Sequence, residues 1–257
     1  MRATTIDEVI QRLGEIIAAS SAERDRRGYF AALYNRVTLA VRDGIAQGDF
    51  DDGPRMARFD VTFANRYLDA YDAYQSGGAV SRVWRRAFDA ARREGLFVIQ
   101  HLLLGMNAHI TLDLGVAAAT VAPGPALVAL HDDYDRINDV LASLVGTNEA
   151  ELIDIAGSWD PPVGAMLEVA KDLCHGAERS AAGCVMDRAR ASSWRFATTL
   201  AGLDPDEWPI HVALQDEAAT LLSDTVLLAR PAIDLLAGGG SQDVAHNIGV
   251  LAAGEMG

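Results

Sequence analysis

The chain is almost without lysine. Lys171 is the only one among 22 lysine and arginine residues, so the positive charge is carried by arginine, which reads first as codon bias in a GC-rich genome. Cysteine is scarce too. Cys174 and Cys184 stand ten positions apart in one predicted helix, and ten helical residues span about 15 Å, beyond disulfide reach. They read as buried thiols of a reducing compartment, which points to the cytoplasm. Acidic residues interrupt the apolar positions of the N-terminal MRATTIDEVIQRLGEII, so it reads as an amphipathic helix and not a signal peptide. No apolar stretch reaches membrane-spanning length without a polar interruption. A basic face is also lacking. The formal net charge is −14, which argues against nucleic acid and against an anionic membrane surface as partners. No nucleophile elbow, P-loop, dinucleotide fingerprint, H-E-x-x-H, paired C-x-x-C or paired E-x-x-H occurs.

No run alternates with a period of two, whereas nearly every long segment repeats at three and four residues. Helices are predicted over about 5–19, 26–47, 56–74, 80–93, 96–121, 126–145, 163–200 and 211–236. DFDDGPR, QSGG, PGP, GSWDPPVGA and GLDPDEWP break the chain between them. The fold class is therefore all-α: an irregular bundle of about eight helices around 96–121, which is apolar almost all round as an enclosed helix must be. Residues 1–240 read as one domain, and 241–257 as a Gly-rich tail with room for a short helix after Ser241.

Polar residues inside an enclosed helix are the informative ones. At about 100° per residue, His109 and Asp113 share one face, and Gly105 and His101 continue that stripe toward the N-terminus. Asn107, Gln100 and Thr111 fall on roughly the opposite face. An H-x-x-x-D pair can bring an imidazole and a carboxylate to one divalent metal; equally, Asp113 can simply accept a hydrogen bond from His109. An ionised Asp in a helical core needs a cation or a protonated His beside it. Gly105 leaves space for an ion, a ligand or a closely packed helix.

The neighbouring helices offer further candidates. In ALVALHDDYDRINDVLASL the apolar stripe puts Asp133 and Asn138 on the flanks of the inward face. Its D-D-x-D spacing does not match the diphosphate cluster of class I terpene synthases. In FANRYLDAYDAY, Asn65 and Asp69 lie one turn apart beside an aromatic side that includes Phe63, Tyr67 and Tyr71. Arg188, in MDRARASSWRFA, would neutralise a buried carboxylate or bind an anionic substrate if it faces inward.

The string LLLGMNAHITLDL, with FANRYLDAYDAY before it and HDDYDRIND after it, resembles an uncharacterised family of all-helical actinobacterial proteins over about residues 5–200. That resemblance implies the fold and the importance of Gly105, Met106, Asn107, His109 and Asp113, but no reaction. More distantly, G-x-x-x-H-x-x-x-D on a buried helix is similar to one element of the zinc-dependent phospholipase C and P1 nuclease superfamily. The chain departs from that group in lacking the N-terminal Trp ligand and in having only six histidines. A single metal centre is the most it supports.

The leading expectation is thus an enzyme, a hydrolase or lyase, holding one divalent metal (zinc, iron or manganese) on His109 and Asp113 with His101 or Asp133. Asn107 would assist catalysis, and the small, largely apolar substrate would meet Asn65, Tyr67, Asp69, Met106, Asn138 and Arg188. The alternatives are metal-free acid–base chemistry by a cyclase or isomerase, with His109 as proton carrier; a non-catalytic binder of a small ligand; and a structural polar network. The protein is expected as monomer or homodimer.

Overall fold

The computed structural model describes residues 2–137, 181–228 and 243–253, with side chains of the second stretch from Arg188 onward. Every regular element among them is helical. α1 (Ile6–Glu23) starts where the Thr5 side chain accepts the Glu8 amide, and Glu8 in turn accepts from the Thr4 amide and hydroxyl. The two side chains thus satisfy the Glu8 and Thr4 amides at the helix start. The helix ends at Arg24, held left-handed at φ 53°. α2 (Gly28–Gln47) follows after a tight turn, and α3 (Gly53–Gln75) begins with Asp52 as cap and Pro54 in its first turn. α4 (Arg82–Ala90) is capped by Ser81, and its first amides at Arg82 and Val83 donate to Asp216 of a distant helix.

The predicted central helix is present as one continuous run from Val98 to Val121, but it is not uniform. α5 (Val98–Met106) leads into a π-helical segment, Asn107–Leu114, which returns to α-helix in α6 (Gly115–Val121). By length and composition this run could cross a membrane, yet most of it is packed inside the protein. Around it lie a helix over 127–137 (α7), α8 (Ala181–Ala201), α9 (Trp208–Leu228) and α10 (Val244–Ala253). α10 is the short helix foreseen in the tail. It is not a loose end: Val244, Ile248 and Leu251 are buried with Tyr29, Ala32 and Leu102. Burying those side chains ties 243–253 to α1 and α2.

Two glycines bracket the π segment and set how closely its neighbours approach. A Cβ on Gly105 would stand 2.5 Å from the Phe30 ring, and one on Gly115 would stand 2.9 Å from the Ser193 carbonyl oxygen. Phe30 of α2 therefore packs into the notch at Gly105, and Gly105 also lines a small cavity beside His101.

Candidate functional site

The π segment determines the site. Its turns hold more residues than those of an α-helix, so positions four apart come closer to the same line along the helix. His109 and Asp113 meet in that register, Nδ1 to Oδ2 at 3.2 Å, and Thr111 donates to Asn107 Oδ1 at 2.9 Å. π turns are rare and recur at functional sites.

Asp113 is 2% exposed and is the hub of a buried network. Its Oδ1 accepts from Arg66 Nε at 2.8 Å, and its Oδ2 accepts from the Trp84 indole N–H at 2.8 Å as well as facing His109. Burial pushes the carboxyl up, but the Arg66 charge and the His109 and Trp84 hydrogen bonds outweigh it, so Asp113 titrates below its ordinary range and stays ionised. The His109 pKa is lowered as well, but by a different cause. Burial lowers its pKa and Asp113 recovers only part of that, so the imidazole is neutral. With Asp113 anionic, Nδ1 carries the proton and Nε2 is a bare acceptor.

Around His109 stands a box of rings. Phe63 stacks on it at 3.6 Å between centroids and 8° between planes, and the Tyr34 ring meets it edge-on at 4.5 Å. Phe30, Trp84 and Tyr67 complete the box at 5.7, 6.0 and 6.1 Å. Several polar atoms here are buried without a hydrogen bond: His109 Nε2, the hydroxyls of Tyr34 and Tyr67, and Asp60 Oδ2. Asp60 lies on α3 and interacts electrostatically with Tyr34; burial raises its pKa to about 7. Each such atom costs roughly 1–3 kcal/mol if nothing pairs with it.

The face turned away from His109 is the opposite case. Asn107 donates to the Ala219 carbonyl and Ser223 Oγ, Gln100 donates to the Val226 carbonyl, and the Thr111 carbonyl accepts from Gln215. These bonds fasten the central helix to α9. Asn107, expected to act with His109, is thus removed from it by half a helical turn.

Other expected site residues are also dispersed. Asn65 grips both the amide and the carbonyl of Ala3, and Asp69 pairs with Arg2 near the surface, so this pair anchors the N-terminal segment. Tyr67 does reach the box. Met106 is partly buried where the α2 and α10 side chains pack. Arg188 is exposed, and the cation that reaches Asp113 is Arg66. Asn138 lies outside the described residues, as do the Cys174 and Cys184 side chains. Asp133, fully buried, accepts from the Asp51 and Asp52 amides, Arg55 and Arg136. It clamps the start of α3 and takes no part in the box.

The expected ligand set is therefore not assembled. Among the described residues no three His, Cys, Asp or Glu side chains gather. Both Asp113 oxygens already accept from Arg66, Trp84 or His109, and a divalent ion there would have to displace a guanidinium. His101, two turns away, is buried beside Tyr29, with rings 5.6 Å apart. The donor set does not fit a metal on His109 and Asp113.

Arg66, Trp84, Tyr34 and Asp60 were not singled out in the sequence. Arg66 adjoins Asn65 in the motif already noted, and Asp113's need for a cation was the signal that could have found it.

A family model described as "Family of unknown function (DUF5995)" matches residues 6–229. No curated protein and no solved structure matches the chain.

Proposed function

The chain belongs to the DUF5995 family, whose function is unknown, and from the site alone we propose a metal-free acid–base enzyme acting on a small, largely apolar substrate, with His109 as general base. The observation that carries this reading is His109 Nε2. It is buried in an aromatic box without a partner, while Nδ1 is fixed by a carboxylate that Arg66 and Trp84 hold in place. A neutral imidazole oriented through its other nitrogen is how a protein positions a general base. A purely structural network would be expected to satisfy Nε2 and its neighbours as thoroughly as the α9 face is satisfied.

His109 offers the proton acceptor, and Tyr34 with Asp60 behind it offers the donors. His109 Nε2 takes a proton from substrate carbon or oxygen, and Asp113 stabilises the imidazolium that forms. Tyr34, kept protonated because burial raises its pKa well above the ordinary value, is a donor toward developing negative charge on a substrate oxygen. Asp60, titrating near 7, returns a proton. One proton removed from the substrate and one delivered to it is the balance of an isomerisation or cyclisation. The resting state returns when the rings part for product release, His109 giving its proton to water and Asp60 taking one from it. Because His109 is 2% exposed, substrate entry requires the rings to part. The hydrolase or lyase reading is not carried forward, because its metal ligands do not gather.

The test is a long-range 15N–1H NMR spectrum of the histidine side chains, recorded free and then with small apolar molecules bearing one hydroxyl or carbonyl. Turnover is followed in the same tube. The expected result is a neutral Nδ1–H tautomer at His109, and a compound that perturbs Nε2 and is consumed by the wild type but not by His109→Gln. A proton found on Nε2, or equal consumption by the variant, overturns the proposal. A compound that shifts Nε2 and leaves unchanged makes this a binding protein.

A further inference from the structure

We propose that the cavity at the corner of α2, α4 and α5 is a carboxylate subsite, formed by Arg26 and His101, that takes the acid end of a small monocarboxylate. His101 is 6% exposed, and its Nε2 makes no hydrogen bond. The side chain lines a cavity of about 20 Å³ together with Arg26, Arg27 and the rings of Phe30, Tyr67 and Trp84. That is room for about one water-sized group, enough for the oxygen of a carboxylate and too small for a tetrahedral phosphate. Ala87 of α4 and Ala91 just after it also line the cavity, so its wall on that side is apolar.

The two arginines differ in what they can offer. Arg27 is committed: it donates to Asp25 and Gln75 and lies over the Tyr71 and Tyr74 rings. Arg26 gives Nη1 to the Ala91 carbonyl at 3.3 Å and pairs with no carboxylate among the described residues. Its remaining donors form the planar fork that suits a carboxylate. His101 adds a second donor as its Nε2–H tautomer; burial and the Arg26 charge lower its pKa to about 4, so it is neutral. The Asp25 carboxylate nearby is already neutralised by Arg27.

This cavity and the His109 box share the Phe30, Tyr67 and Trp84 rings, so the acid would lie one ring layer from the base. That the bound acid is the substrate rests on the function proposed above; that an acid binds here does not.

The experiment titrates full-length protein with benzoate and with its neutral isostere benzamide, following His101 15N shifts and affinity. Benzoate is expected to shift His101 and to bind at least tenfold more tightly than benzamide. Arg26→Gln should weaken benzoate at least tenfold. Arg26→Lys, which keeps the charge and loses the planar fork, should fall between Arg26→Gln and the wild type and show that the fold was not lost. His109→Gln should bind benzoate as the wild type does. Equal affinity for acid and amide, an unmoved His101, or unchanged binding by Arg26→Gln overturns the subsite. Benzoate held at His101 by a protein that consumes no acid of this class leaves the subsite standing and removes the catalytic reading of its neighbour.

Discussion

Asp113 and Asp60 are both buried carboxylates within reach of Tyr34, and their surroundings drive them in opposite directions. Asp113 is given an arginine, an indole N–H and an imidazole N–H, so it remains an anion below its ordinary range. Asp60 has an oxygen with no partner, and burial alone lifts it to about 7. Burial by itself decides neither charge nor role; the donors that reach the carboxylate do. One aspartate behaves as a fixed charge that orients His109, and the other as a proton store near neutral pH.

The strongest way to break this contrast is Asp113→Ala. It would strand the Arg66 guanidinium and the Trp84 and His109 N–H groups in the interior, and removing one partner of a buried pair costs about 3–5 kcal/mol. Denaturant unfolding at neutral pH should show a loss near the lower end, since Arg66 is about a third exposed (31%). A loss below about 1 kcal/mol would mean Asp113 is not the hub. Adding Arg66→Met should recover part of the loss, because the stranded cation goes with it.

Asp60→Asn should have the opposite sign. A carboxyl at about 7 in the folded state and near 3.9 unfolded favours the native fold only while protonated. Its stabilising effect is complete below about pH 4, declines between pH 4 and 7, and is gone above. Asp113, depressed when folded, gives stability that is present above its unfolded pKa and lost as pH falls through its folded value. Asp60→Asn is therefore expected to gain about 2–4 kcal/mol at pH 8 and almost nothing at pH 4. A pH–stability curve parallel to the wild type's would show that Asp60 titrates normally.

Much of this arrangement was legible in the residues. The all-round apolarity of 96–121 marked an enclosed helix, and four-residue spacing set His109 beside Asp113, with Asn107 and Thr111 behind. The π register was not legible, because no local motif marks it; the close approaches of α2 at Gly105 and α8 at Gly115 flank the segment and are tertiary contacts. Nor was Arg66. Neighbouring Asn65 drew attention through its spacing to Asp69, but one helical step turns a side chain by about 100°, and it is Arg66 that faces the core. Asp133 faces inward as expected, yet its four donors come from the start of α3 and from its own helix, contacts that periodicity cannot foresee.

The smallest effect is also the sharpest test, since Tyr34 is felt by both carboxylates. Its hydroxyl is buried and makes no hydrogen bond, so Tyr34→Phe removes a desolvated polar group while keeping the ring against His109. Deleting an unpaired buried hydroxyl should be neutral or stabilise by up to about 1 kcal/mol. The Asp60 midpoint, read from the pH dependence of stability, should not move; an upward shift would mean the hydroxyl had been donating to that carboxylate. If the box is catalytic, the same variant loses turnover of whatever compound the wild type consumes, because the donor for a substrate oxygen is gone. A protein at least as stable and yet inactive is the signature of polar groups kept for function at a cost to the fold. A variant that is both less stable and fully active would place Tyr34 in the structural network and leave proton transfer to His109 and Asp60.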